Sequence, residues 1–258
     1  MAISRRHPAA LLAVMVVGLA STGVAYAAVT SSTKPVAVAK SATQIEQGKQ
    51  LFLEGCSSCH GLAAQGTSDA PSLIGVGAAA VDFQVGTGRM PLAGPGIQAM
   101  RKPPVYTPEQ TAALAAYVAS LGSGPAIPTK EMTSTSNADL ALGGELFRTN
   151  CAQCHSVSGK GGALSWGRYA PNLMGSDAKT IYEAMITGPQ SMPAFNDRTL
   201  TVKDKQNIIR YIQELQKEES PGGYSLGRLG PVTEGLFMWI AGLGALLVVA
   251  VWIGAKAK

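Results

Sequence analysis

Two pentapeptides, Cys56-Ser-Ser-Cys59-His60 and Cys151-Ala-Gln-Cys154-His155, hold all four cysteines of the chain and two of its three histidines. Two thiols separated by two residues can each form a thioether with one vinyl group of a haem, and the imidazole that follows is then placed under the iron. Other chemistries fit the pattern less well. A zinc site pairs C-x-x-C motifs about 15 to 20 residues apart, whereas these lie 95 residues apart. A redox dithiol calls for a thioredoxin-like βαβ setting that the sequence lacks. Structural disulfides would not explain a histidine after each second cysteine. The motifs predict two covalently bound haem c groups, one on Cys56 and Cys59 and one on Cys151 and Cys154, with His60 and His155 as axial ligands.

The sixth position follows from a count. The third histidine, His7, lies in the N-terminal leader, so no internal histidine remains and methionine is the best soft donor. Met90 and Met192 are each followed by proline and occupy equivalent places in the sequence, which makes them the predicted distal ligands. Thioether ligation raises a haem reduction potential. Met100, Met132, Met174 and Met185 read as loop or gap-filling residues. A metal-ligating imidazole needs a partner on its other nitrogen, and the repeated Ala70-Pro71 and Ala170-Pro171 segments offer carbonyls, resembling the proline of small class I cytochromes c. With both irons saturated and no histidine left as a base, no catalytic site is expected.

These groups need a scaffold, and the sequence supplies one twice. "QGKQLFLEGCSSCHG" aligns with "LGGELFRTNCAQCHS" at an offset of 95, "APSLIG" with "APNLMG" at 100, and "AAYVASL" with "IRYIQEL" at 94. The drift is confined to Gly- and Pro-rich stretches, where insertions are tolerated. Each copy ends in an amphipathic helix. Thr107, Pro108 and Gln110 form a capping-box start for Leu114, Tyr117, Val118 and Leu121, and Thr201 with Asp204 does the same for Ile208, Ile209, Ile212 and Leu215. Strand patterning is essentially absent. The expected fold is all-α: two tandem class I cytochrome c-like domains plus a C-terminal transmembrane helix.

Gly235 to Gly254 is twenty residues without a charge, flanked by Glu234 and Lys256, with Trp239 and Trp252 near its ends. The leader carries Arg5 and Arg6, an apolar run from about Ala9 to Ala20, and Ala25-Tyr26-Ala27, and reads as a signal peptide or a first membrane helix. The net charge of +5 is not a nucleic-acid footprint. Between Gln44 and Pro231, 15 basic residues balance 15 acidic ones, and the excess sits at the two ends, as expected for membrane flanks. The expected organisation is a leader over 1–28, a linker over 29–43, domains over 44–122 and 139–217 joined by a linker over 123–138, a tether over 218–232 and a membrane helix over 233–255. The haem domains are expected outside the cytoplasm and the C-terminus inside.

The tandem motifs, with the "PGGYSLGRLGPVTEGLFMWIAGLGA" entry into the apolar run, resemble the dihaem cytochrome c subunit of the actinobacterial-type cytochrome bc complex. The resemblance runs from about Gln44 to the C-terminus. It implies a membrane-anchored relay that takes electrons from the Rieske iron–sulfur protein of a menaquinol-oxidising complex, beside its cytochrome b subunit. The relay then passes them to a haem-copper oxidase, and Cys56, Cys59, His60 and Met90, and Cys151, Cys154, His155 and Met192, would hold its two haems. The alternative is the electron-transfer subunit of a membrane-bound periplasmic dehydrogenase. The first copy also has 17 residues from its Met-Pro to its last helix against 9 in the second. The extra loop, Leu92 to Pro104, is expected to shape a docking surface with Arg101 and Lys102 near the first haem.

Overall fold

The computed structural model describes residues 8–31, 42–94, 96–217 and 231–256. The expected tether lies almost wholly outside the described residues, as does most of the linker before the first domain. The helices are α1 (Pro8–Ser31), α2 (Ala42–Gly55), α3 (Ser57–His60), α4 (Gly77–Gly86), α5 (Pro108–Ser120), α6 (Lys130–Thr133), α7 (Leu140–Asn150), α8 (Ala152–His155), α9 (Ala178–Thr187), α10 (Val202–Lys217) and α11 (Pro231–Lys256). Strand among the described residues is limited to a two-residue antiparallel ladder, β1 (Gly162–Ala163) with β2 (Tyr169–Ala170). The fold is thus all-α, with one haem-type motif in each half of the repeat.

Residues Met1–Ala42 form one compact unit and Thr43–Lys258 another. In the first, α1 carries an apolar stretch at Leu12–Val24. Ser21 and Thr22 interrupt the run, each donating a hydroxyl proton to the carbonyl of Gly18. In the second unit, α11 offers 23 residues, Glu234–Lys256, with a mean hydropathy of 2.5 and no buried position. That length and composition suit a membrane anchor.

Within each repeat copy the first and last helices cross at a glycine. A Cβ on Gly48 would lie 1.9 Å from the carbonyl oxygen of Ala113, and one on Gly143 would lie 2.0 Å from that of Asn207. The close approach lets Phe52 tilt against Tyr117 and Phe147 against Tyr211, both at 5.3 Å between ring centroids. Separate cores result. One contains Phe52, Val81, Val85, Leu114, Tyr117 and Val118; the other contains Phe147, Tyr182, Met185, Ile208, Ile209 and Ile212.

The sequence-predicted helix starts are present. Thr107 Oγ1 accepts from Gln110 N at 3.3 Å while Thr107 N donates to Gln110 Oε1 at 2.9 Å, and Thr201 and Asp204 exchange the same two bonds at 3.2 and 2.9 Å. The Gly- and Pro-rich connector between the repeats is less loose than its composition implies. Ala79 N donates to Pro125 O at 3.1 Å, α6 is capped by Thr129, Met132 packs on the second core, and Gln206 donates to Glu131 O at 2.7 Å.

Helices α4 and α9, which follow the two haem-type motifs, pack against each other across the repeat boundary. Lys179 forms an ion pair with Asp82 there, and its Nζ lies 3.8 Å from Oε1 of Glu183. Glu183 is only 2 % exposed, and among the described residues that oxygen has no hydrogen-bond partner.

Candidate functional site

Both pentapeptides close a helical turn. His60 N donates to Cys56 O at 3.0 Å and His155 N to Cys151 O at 2.9 Å, the i to i−4 pattern that brings cysteine and histidine to one face. The chain must then reverse at once. Gly61 does so at φ 81, ψ 153, and Ser156 at φ 61, ψ 163, a region that is essentially glycine-only. The reversal returns the loop over the histidine, where Gly66 N binds His60 O at 2.8 Å and Gly161 N binds His155 O at 2.9 Å.

That loop delivers the expected carbonyls. His60 Nδ1 lies 2.8 Å from Pro71 O and His155 Nδ1 lies 3.0 Å from Pro171 O. A nitrogen facing a carbonyl must carry the proton, so each Nε2 keeps a free lone pair for a metal. Burial pushes the His155 pKa down, against the opposing effect of the Pro171 carbonyl, which favours the neutral, ligating form.

In the first copy Cys56 and Met90 pack on the same core, and in the second Cys151 and Met192 do. Cys59 and Cys154 are exposed, while Cys56 and Cys151 are half-buried. Burial, reinforced by Cys154, pushes the Cys151 thiol up to about 12, and Cys56 is raised for the same reasons.

Cys151, Cys154, His155 and Met192 line one cavity of about 480 Å³, within the roughly 300 to 1,000 Å³ usual for small-molecule and cofactor sites. Its walls include Phe147, Leu173, Ile181, Met185, Phe195 and Ile212. A flat apolar macrocycle with vinyl groups near the thiols and an iron between imidazole and thioether fits this donor set. The residues present therefore suit a haem c.

Part of the lining comes from the other copy. Phe83 and Arg89, together with Gln98 to Arg101 of the inserted loop, complete the cavity. Here the structure departs from the sequence expectation. The loop leaves the first site and lies on the second domain, where Arg101 donates to Gly175 O at 3.1 Å and Tyr169 Oη to Met100 Sδ at 2.9 Å. Lys102 alone turns back, to the carbonyls of Gly88 and Pro91 beside Met90. Arg89 has no charged equivalent in the second copy, where Ser191 precedes Met192, and that unmatched charge is its one signal in the sequence.

Comparison with known proteins agrees with this picture. The family model described as cytochrome c matches residues 45–122, and that described as cytochrome C oxidase, cbb3-type, subunit III matches residues 138–212. The cytochrome bc1 complex cytochrome c subunit of Corynebacterium efficiens is 45 % identical, with 98 % of this chain and 90 % of the relative aligned. Its counterpart in Mycobacterium leprae is 48 % identical over 90 % of this chain and 83 % of the relative. The cbb3-type cytochrome c oxidase subunit FixP of a Bradyrhizobium strain is 29 % identical over 59 % of this chain and 54 % of its own length.

Proposed function

Because the chain belongs to the family of cytochrome bc1 complex cytochrome c subunits, we propose that it is the dihaem electron-transfer subunit of a menaquinol-oxidising cytochrome bc complex. It takes electrons from the Rieske iron–sulfur protein, which works beside cytochrome b, and hands them to a haem-copper oxidase. The observation that carries this reading is the duplicated site. Each copy sets a C-x-x-C-H turn under a proline carbonyl and packs a Met-Pro methionine on the same core as the first cysteine.

Bound haem supplies one-electron chemistry at the iron. Everything else is done by the chain. Cys56 with Cys59, and Cys151 with Cys154, would anchor the two groups covalently, so that neither is lost during turnover. His60 and His155 would hold the iron through Nε2, their rings fixed in orientation by the carbonyls of Pro71 and Pro171. Met90 and Met192 would supply the thioether donors, which favour the reduced state. The apolar walls exclude water, which keeps the environment from reorganising when charge moves. In this reading the chain relays electrons and the complex performs the quinol chemistry. Helix α11 anchors the relay in the cell membrane, with the haem domains outside and Lys256 on the cytoplasmic side.

The test is gentle purification of the native protein from membranes, a pyridine haemochrome assay, and identification of what co-purifies. Two c-type haems per chain with b-type haem, an iron–sulfur protein and a haem-copper oxidase are expected. A dehydrogenase in their place overturns the partners, and a chain without covalent haem overturns the function.

A further inference from the structure

The cavity beside Cys151 and His155 is lined by two guanidinium groups, Arg89 and Arg101, and by no carboxylate. Both arginines belong to the first repeat copy. Arg89 is held rigidly: it is 8 % exposed, stacks 4.6 Å over the ring of Phe83, and donates to Thr87 Oγ1 at 2.6 Å. Arg101 is held by the Gly175 carbonyl at 3.1 Å. Among the described residues neither forms an ion pair. Burial, and then the charge of Arg101, push the Arg89 pKa below its usual range. A buried Arg89 guanidinium, with the Arg101 charge nearby and no carboxylate in the cavity lining, is costly unless the occupant brings negative charge.

The occupant inferred above brings two carboxylates. We propose that Arg89 and Arg101 are positioning residues, supplied by the first domain, that pair with the propionates of the haem held by Cys151 and Cys154. This rests on the dihaem reading and goes beyond it, since it makes the second site incomplete without the first domain. Guanidinium is the side chain whose planar fork matches a carboxylate. Position 89 serves the second site while its neighbour Met90 packs on the first core, so consecutive residues attend to different cofactors. The paired cations stabilise the less positive, reduced form of the second haem. They thereby raise its reduction potential above what its axial ligands alone would set.

The experiment is an optical redox titration of the full chain in its membrane-extracted complex, comparing wild type with Arg89→Gln, Arg101→Gln, the double substitution, and Arg89→Lys. A Cys151→Ser/Cys154→Ser variant assigns the two potentials by removing the second haem. The expected result is that each Gln substitution lowers only the second potential. The shift should be about tenfold in the reduction equilibrium, or about 59 mV for one electron, with Lys restoring most of it. Unchanged potentials, an equal shift of both, or no rescue by Lys overturns the pairing and leaves a packing role. If Arg89→Gln sheds its haem, the exposed Arg101 and the Arg89→Lys variant still decide the question. Fewer than two covalent haems in the wild type overturns the dihaem reading itself, which the haemochrome assay reports separately.

Discussion

Gln98 grips the backbone of Tyr169, 71 residues away, at two points: its Nε2 donates to Tyr169 O at 2.7 Å and Tyr169 N donates to its Oε1 at 3.0 Å. Gln190 answers from the second domain with the same two-point hold on Ala99, at 3.0 and 3.1 Å. Together they fasten the inserted loop over the second cavity. Each such bond is worth about 1 kcal/mol net. Gln98→Ala should therefore speed hydrogen exchange at the Tyr169 amide by roughly tenfold and leave core amides such as Ile209 unchanged. Equal protection at Tyr169 in the variant would mean that the loop is held by something else.

The residues proposed to hold the haems were legible in sequence because covalent attachment would dictate its own spacing. Cys56, Cys59 and His60 can be read without knowing anything distant, and the pairing of His60 with Pro71 spans only a local loop. Helix starts at Thr107 and Thr201 were legible for the same reason, since a capping box is complete within four residues. The loop from Leu92 to Pro104 was visible as an insertion, yet its destination was not. Gln98, Arg101 and Gln190 act through partners 71 to 91 residues away, and no local pattern encodes which surface a polar side chain will meet. Glu183 is the same case: in sequence it is one more helical glutamate, and only the packing of α9 on α4 buries it.

Exchanging either Met-Pro methionine for a harder donor separates the two sites electrically. Met192→His should lower one potential by on the order of 0.1 V, within the range of about 0.8 V that axial ligands control. The other potential should not move. Met90→His should do the converse, because the two methionines pack on separate cores. Redox titration of each variant reads this directly. A variant in which neither potential moves would remove that methionine from the ligand set.

Ser156 turns the chain after His155 in a conformation that Gly61 adopts without a side chain in the first copy. Such a backbone costs a non-glycine residue about 1 to 3 kcal/mol. The Ser156 hydroxyl lies 3.1 Å from that of Ser158 and offsets part of this. Ser156→Gly should raise the unfolding temperature of the second domain, while Gly61→Ser should lower that of the first. Differential scanning calorimetry checks both, and a destabilised Ser156→Gly would show that the hydroxyl pair outweighs the strain.

Glu183 sets the pH response of the contact between α4 and α9. Burial first, then the hydrogen bond and charge of Asp82, push its carboxyl up to about 9, with Lys179 opposing and Asp177 adding slightly. The unfolded chain loses this proton near pH 4.5, whereas the folded chain keeps it until about pH 9. Folding therefore takes up a proton throughout that window, so stability falls as pH rises from about 4.5 to 9 and levels off above. One proton gives a slope of at most about 1.4 kcal/mol per pH unit. Glu183→Gln, neutral at every pH, should match the wild type near pH 4.5, unfold at a higher temperature at pH 8, and lose most of the slope. Thermal unfolding of the membrane-extracted protein across that range decides it. Parallel curves for the two proteins would mean that Glu183 ionises in the folded chain, with Lys179 closing on it to hold the charge.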